Sequence, residues 1–167
     1  MTKNLILFRH AKSDWDSTAN NDHSRPLAER GISAATKMGL FLAASGSLPE
    51  RIISSSANRA IETIELASSA GGWNIPIDVN DDLYATSSSS VISFLHQIPN
   101  ELDSVMLVGH EPVWSELTSL LIGGGNVRMP TAAIAQINLF VDEWAGVRSS
   151  CGELSWLVKP KILQFIK

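Results

Sequence analysis

Two stretches decide the fold, "LILFRH" at residues 5–10 and "VMLVGH" at residues 105–110. Each is a short apolar run ended at once by groups that need water or a partner: Arg9 and His10 in the first, Gly109 and His110 in the second. An unbroken apolar run of that length is the pattern of an interior strand covered on both faces. An arginine taken out of water is costly unless something anionic meets it. A strand that runs straight into Arg9 and His10 therefore ends over a ligand site or at ordinary surface.

Outward from these two runs, strands and helices alternate. Polar residues fill Lys12 to Arg25, a loop long enough to carry function. Pro26 is expected in the first turn of the helix that follows. That helix places Leu27, Ala34, Met38 and Phe41 or Leu42 on one side, is weakened by Gly31 and Gly39, and has Gly46 and Pro49 as stop signals. "RIISS" reads as a strand, Arg51 to Ser54, and the next helix packs Ile61, Ile64 and Ala67 on the sheet with Arg59 near its start. "IPIDV" reads as an edge or parallel strand. The serines before Val91 look like a loop and helix cap, with Val91, Phe94, Leu95 and Ile98 lining a short helix. After the strand Val105 to Val108 comes a helix carrying Val113, Leu117, Leu120 and Leu121. A glycine-rich turn at 123–125 leads to a strand over Ala133 to Phe140, and a last strand lies near Trp156 to Val158.

This order predicts an α/β sandwich with a mainly parallel central sheet, built as a single domain over residues 1–167. Ligands of such sheets meet the carboxyl ends of the strands. Arg9 and His10 follow one strand and His110 another, while Arg59 opens the helix after a third. Three separate segments thus deliver cationic or titratable groups toward one edge.

Composition narrows the classes. With 44% hydrophobic and 18% charged residues the chain is globular, and its net charge of -4 argues against extended binding to nucleic acid, though not against a local cationic pocket. The one cysteine, Cys151, can form neither an internal disulfide nor a thiolate metal cluster and reads as a small semi-buried residue. The N-terminal apolar run is too short for a signal peptide and no stretch is long enough to span a membrane, so a cytoplasmic location is expected.

Taken singly, His10 could be a strand-end histidine held by a carbonyl, Arg9 and Arg59 could be in structural ion pairs, and His110 could be a loop residue. Taken together, two histidines with two arginines make a poor transition-metal site, because the guanidiniums repel the cation, and a good phosphoryl site. Arginine N–H pairs match phosphate oxygens, one neutral imidazole can attack phosphorus, and a second donor can stabilise the equatorial oxygens. Asp14, Asp16, Asp22 and His23 in the first loop read as surface or capping groups that could shape an entrance. Glu111 reads as orienting the site or capping the next helix, while Lys12 and Ser13 are near enough in sequence to influence the pocket, with Lys12 at least as readily facing solvent. Trp15, Trp114, Trp144 and Trp156 read as packing residues, with Trp15 the best exception because it lies beside the candidate site.

The ordered segments "LFRHAKSDW", "DHSRPLAERG", "SSSANRAIETIELA", "VMLVGHEP" and "MPTAAIAQINL" resemble the histidine phosphatase superfamily, formerly grouped with phosphoglycerate mutases, and within it the small SixA-like branch. The resemblance covers nearly the whole chain. It implies a three-layer α/β/α sandwich of the phosphoglycerate mutase-like kind, with the phosphate pocket at the carboxyl ends of the sheet. It also implies that His10 is the nucleophile that becomes phosphorylated, that Arg9 clamps phosphate oxygens, and that Arg59 and His110 are the second arginine and second histidine. Arg25 would order the approach to the pocket or assist anion binding, and no cofactor is implied. Two departures stand out. Ala11 replaces the usual glycine after the Arg–His pair, and "NDDLYATSSSS", residues 80–90, lacks the glutamate that many relatives use as general acid. Asp81 and Asp82 there read as capping or exposed groups. An alkoxide leaving group needs such an acid, typically by about 10²–10⁴-fold, whereas the imidazole leaving a phosphohistidine can already carry its proton. The expectation is therefore a phosphohistidine protein phosphatase whose partner is a histidine phosphotransfer domain or related phosphocarrier. The alternatives are a phosphatase for a small phosphorylated metabolite and a non-catalytic phosphate-binding module.

Overall fold

Along the first strand the side chains sort by parity: Leu5 and Leu7 join one apolar cluster, Ile6 and Phe8 the other, so both faces of the sheet are covered. The computed structural model describes residues 2–165. In chain order the elements are β1 (Lys3–Arg9), α1 (Glu29–Ser45), β2 (Arg51–Ser55), α2 (Asn58–Gly71), β3 (Ile77–Asn80), α3 (Ser88–Leu95), β4 (Ser104–Gly109), α4 (Val113–Leu121), β5 (Ile134–Leu139), β6 (Gly152–Val158) and α5 (Pro160–Leu163). The strands form one sheet in the order β3-β2-β4-β1-β5-β6. β3, β2, β4 and β1 run parallel, and the β1–β5 and β5–β6 pairs are antiparallel. Residues of α1 and α2 pack on the Ile6 and Phe8 face, and residues of α3 and α4 on the Leu5 and Leu7 face, which gives the three layers. No helix among the described residues is long and apolar enough to cross a membrane.

Four sequence expectations need correction. Pro26 lies before the helix, not in its first turn, because α1 begins at Glu29. Ser13 bridges to Leu27, and the Leu27 N–H donates to the Glu62 carboxylate at 2.7 Å, so this segment is held extended. On α2 the buried side is Arg59, Ala60, Thr63, Ile64 and Ala67, with Ile61 only partly covered. The Thr63 hydroxyl accepts the Ala11 N–H at 2.9 Å and donates to the Arg59 carbonyl at 2.6 Å, which fixes the rotation that turns Arg59 inward. Ile98 is buried but beyond the end of α3, and Leu120 is on the exposed side of α4. The glycines that weaken α1 on propensity let it pack closely: a Cβ on Gly31 would lie 2.2 Å from the Lys12 carbonyl oxygen, and one on Gly39 2.1 Å from that of Ala67.

Candidate active site

The pairing of β1 with β4 sets Arg9 opposite Gly109, and the His10 N–H donates to the Gly109 carbonyl at 2.9 Å, carrying the register one residue beyond the strands. His10 and His110 therefore leave adjacent strand ends side by side, with ring centroids 5.1 Å apart and planes inclined at 50°. Gly109 is needed at this point, since a Cβ there would meet the Trp114 ring at 2.6 Å. Trp114 is itself fixed by donating its indole N–H to the Phe8 carbonyl at 3.0 Å.

His10 is 8% exposed and its Nδ1 lies 2.7 Å from the Ala11 carbonyl oxygen. A carbonyl only accepts, so Nδ1 carries the proton and Nε2 keeps its lone pair. Burial, helped by the neighbouring cationic groups, holds the imidazole pKa down to about 3, so the ring is neutral at physiological pH. His110 is set in the opposite tautomer. Arg59 Nη2 approaches its Nδ1 at 3.4 Å and can only donate, which leaves the Nε2–H facing the Ser55 hydroxyl at 2.7 Å. Burial and then the Arg59 charge lower its pKa to about 4.

Arg59 is 6% exposed; its Nη1 donates to the Asp22 carbonyl at 2.8 Å and its Nη2 to the Asp22 carboxylate at 3.1 Å, while its buried Nε has no partner. Arg9 donates from Nη1 to the Met129 carbonyl at 2.8 Å and likewise leaves a buried Nε unpartnered. Its charge reaches both imidazoles. The backbone that receives Arg9 is braced in turn: the Met129 N–H donates to Ser115 Oγ at 3.1 Å, and the Ser115 hydroxyl donates to the Glu111 carboxylate. Glu111 also accepts the Ser115 N–H at 2.8 Å, so it caps the first turn of α4 and supports the Arg9 anchor together.

The loop after His10 closes one side. Asp22 bridges Arg59 and Arg25, the latter at 2.9 Å, and accepts the Tyr84 hydroxyl at 2.9 Å. Partial burial works against its charge, but the Tyr84 hydrogen bond and both guanidiniums prevail and hold the carboxyl below the usual range. Tyr84 is raised, chiefly by that same hydrogen bond, and its ring stands edge-on to His110 with centroids 5.8 Å apart. Arg25 also donates from Nε to Ser13 Oγ at 3.1 Å and lies 3.6 Å over the Trp15 ring, itself 69% exposed. Trp15 thus departs from the packing role that Trp114 and Trp144 fill in the core.

Of the residues read from the sequence, His10, His110 and Arg59 are in direct contact, Arg9 is coupled to both rings through charge, and Arg25 is one carboxylate away from Arg59. Lys12 is half-buried. Asp81 and Asp82 are exposed, and the Asp82 N–H is capped by the Asn80 side chain at 2.8 Å. The sequence reading missed Ser55 and Tyr84, and it gave Asp22 too small a part. Only the position of Ser55 at the end of a strand could have flagged it. Cations and donors around two neutral imidazoles, one with a free Nε2, make a cradle for a tetrahedral anion with a nucleophile in it.

Residues 5–87 match the family described as histidine phosphatase superfamily, branch 1. An uncharacterized protein of Mycobacterium tuberculosis is 32% identical over 158 residues, covering 88% of this chain and 96% of its own. The structure of the protein histidine phosphatase SixA complexed with tungstate superposes with a TM-score of 0.81 at 26% identity, covering 96% of this chain and 99% of that one. The alpha-ribazole phosphatase from Shigella flexneri shares the fold, with a TM-score of 0.70 at 17% identity over 94% of this chain and 96% of its own.

Proposed function

Because this chain belongs to the histidine phosphatase superfamily and is a hydrolase of phosphorylated substrates, we propose that its substrate is phosphohistidine on a protein, cleaved through a covalent intermediate on His10. The Nε2 lone pair of His10 attacks phosphorus, the Nε2–P bond forms, and the P–N bond to the substrate imidazole breaks with its electron pair going to that imidazole. Water then attacks the phosphohistidine on His10, releasing inorganic phosphate and returning the neutral ring. Arg9 and Arg59 hold the oxygens, with buried N–H groups still unpaired, and the neutral His110 ring stands against His10, kept in place by Ser55 and Arg59.

The observation that carries this reading is the state of the carboxylates beside a neutral, Nδ1-protonated His10. Asp22, whose charge reaches His110, is ionised between two arginines and cannot lend a proton at neutral pH. Glu111 is occupied by Ser115. A phosphate ester expelling an alkoxide would lack its acid here, whereas a phosphohistidine already protonated on its other ring nitrogen departs as a neutral imidazole and needs no acid from the protein.

The test compares kcat/KM for a phosphohistidine-bearing phosphotransfer domain, free phosphohistidine and a panel of sugar phosphates. A preference for the phosphohistidine protein is expected, with loss of covalent labelling and nearly all turnover in His10→Ala. A clear preference for a sugar phosphate rejects the substrate class, and unaltered turnover in His10→Ala rejects the mechanism.

A further inference from the structure

Arg9 also lines a second concavity, on the protein surface. A depression of about 880 Å³ is lined by Arg9, Lys12, Arg30, Arg128, Lys159 and Lys161, and by no carboxylate. These cations come from distant parts of the chain: the end of β1 and the loop after it, α1, the segment between α4 and β5, and the junction of β6 with α5. They are six of the thirteen lysines and arginines of a chain whose net charge is -4, so their concentration runs against the average surface. Among the described residues, none of Lys12, Arg30, Arg128, Lys159 and Lys161 has a side-chain ion pair or hydrogen bond. Like charges gathered without counter-charges raise the potential of a groove and draw anionic partners to it.

The shape bears on which anion. Arg30 and Lys161 also line an adjoining depression of about 780 Å³ that carries Lys37, with Glu29 as its one carboxylate. The cationic track is thus long and shallow, and most of its members are flexible, exposed side chains. A single phosphate or other compact anion is held by buried donors converging on one point, which is the arrangement at Arg59 and not here. An extended run of carboxylates meets spaced, mobile cations as well as it would meet a cradle. We infer that this groove docks an acidic stretch of the protein that carries the phosphohistidine, the shared Arg9 placing that stretch next to the reacting phosphoryl group. The inference rests on the substrate class proposed above and adds how that substrate is chosen.

The test uses the full chain and the Arg30→Glu, Lys159→Glu, Lys161→Glu triple variant, three surface changes away from the imidazoles. A short fluorescein-labelled peptide rich in Asp and Glu, without phosphate, is followed by anisotropy. Binding is expected to weaken about tenfold or more in the triple variant and to fall as salt rises. Turnover of p-nitrophenyl phosphate is expected to stay at the wild-type level, which shows the variant folded. Wild type should also hydrolyse a phosphohistidine peptide with acidic flanks faster than one with glycine flanks, and the variant should lose that preference. Equal anisotropy for the two proteins overturns the inference, as does variant-sensitive binding of inorganic tripolyphosphate with no binding of the acidic peptide. Variant-sensitive binding of the acidic peptide by a wild type that hydrolyses neither phosphohistidine peptide supports the docking surface and counts against the proposed reaction.

Discussion

At His10 the carbonyl of Ala11 selects the tautomer and the surrounding protein selects the charge, so the ring needs no base to prepare it. In ¹⁵N NMR His10 is expected as a neutral Nδ1–H imidazole that does not titrate between about pH 5 and about pH 8, where an ordinary histidine with pKa about 6.5 would; a midpoint near the ordinary value contradicts the assignment. Ser55 holds His110 from the far side, and its role is positioning. Ser55→Ala removes the acceptor for the Nε2–H and is expected to lower kcat about tenfold with little change in KM, the size of one lost hydrogen bond. A rise in KM alone would place Ser55 in substrate binding instead. Arg9 and His10 were legible in the sequence because polar groups that end a buried strand have few places to go. Ser55 and Tyr84 were not, since a serine after a strand looks like any loop or cap residue, and Tyr84 reaches Asp22 only through tertiary folding.

At the scale of elements, strands were read well and helix starts less well. Apolar runs mark β1 and β4 by themselves, but the beginning of α1 depends on Glu62, a side chain of another helix, holding Leu27 extended. The same dependence turned α2, whose facing side is set by the hydrogen bonds of Thr63 and not by the strongest apolar periodicity. The glycines of α1 look like defects until the Lys12 backbone is placed against Gly31 and α2 against Gly39. Gly39→Ala would set a methyl against the Ala67 carbonyl and is expected to cost about 1–3 kcal/mol in urea unfolding while leaving kcat unchanged below the transition. Gly109→Ala makes a contrasting case: its methyl strikes Trp114 at the base of His110, so kcat should fall along with stability. Equal activity in the two variants would show that the end of β4 tolerates displacement.

For the whole molecule, two histidines buried neutral tie stability to pH. Their folded pKa values, about 3 and about 4, lie below the unfolded value of about 6.5. Between those limits the unfolded chain binds more protons, so the stability present above about pH 6.5 is lost as pH falls toward the folded values. The urea midpoint of the wild type should drop between about pH 7.5 and about pH 5, and a His10→Asn, His110→Asn double variant should drop less; parallel curves would remove these rings as the cause. Fold class and the Arg–His nucleus were legible from local pattern, whereas the cationic groove was not, because its members are scattered from Arg9 to Lys161 and gather only in three dimensions. The register of β1 against β4 has one more consequence. Since the two imidazoles hang from strands far apart in the chain, and nonlocal parallel pairing is intrinsically slow to form, enzymatic turnover is expected to report completed assembly. During refolding it should return with the last kinetic phase and never with an earlier intermediate.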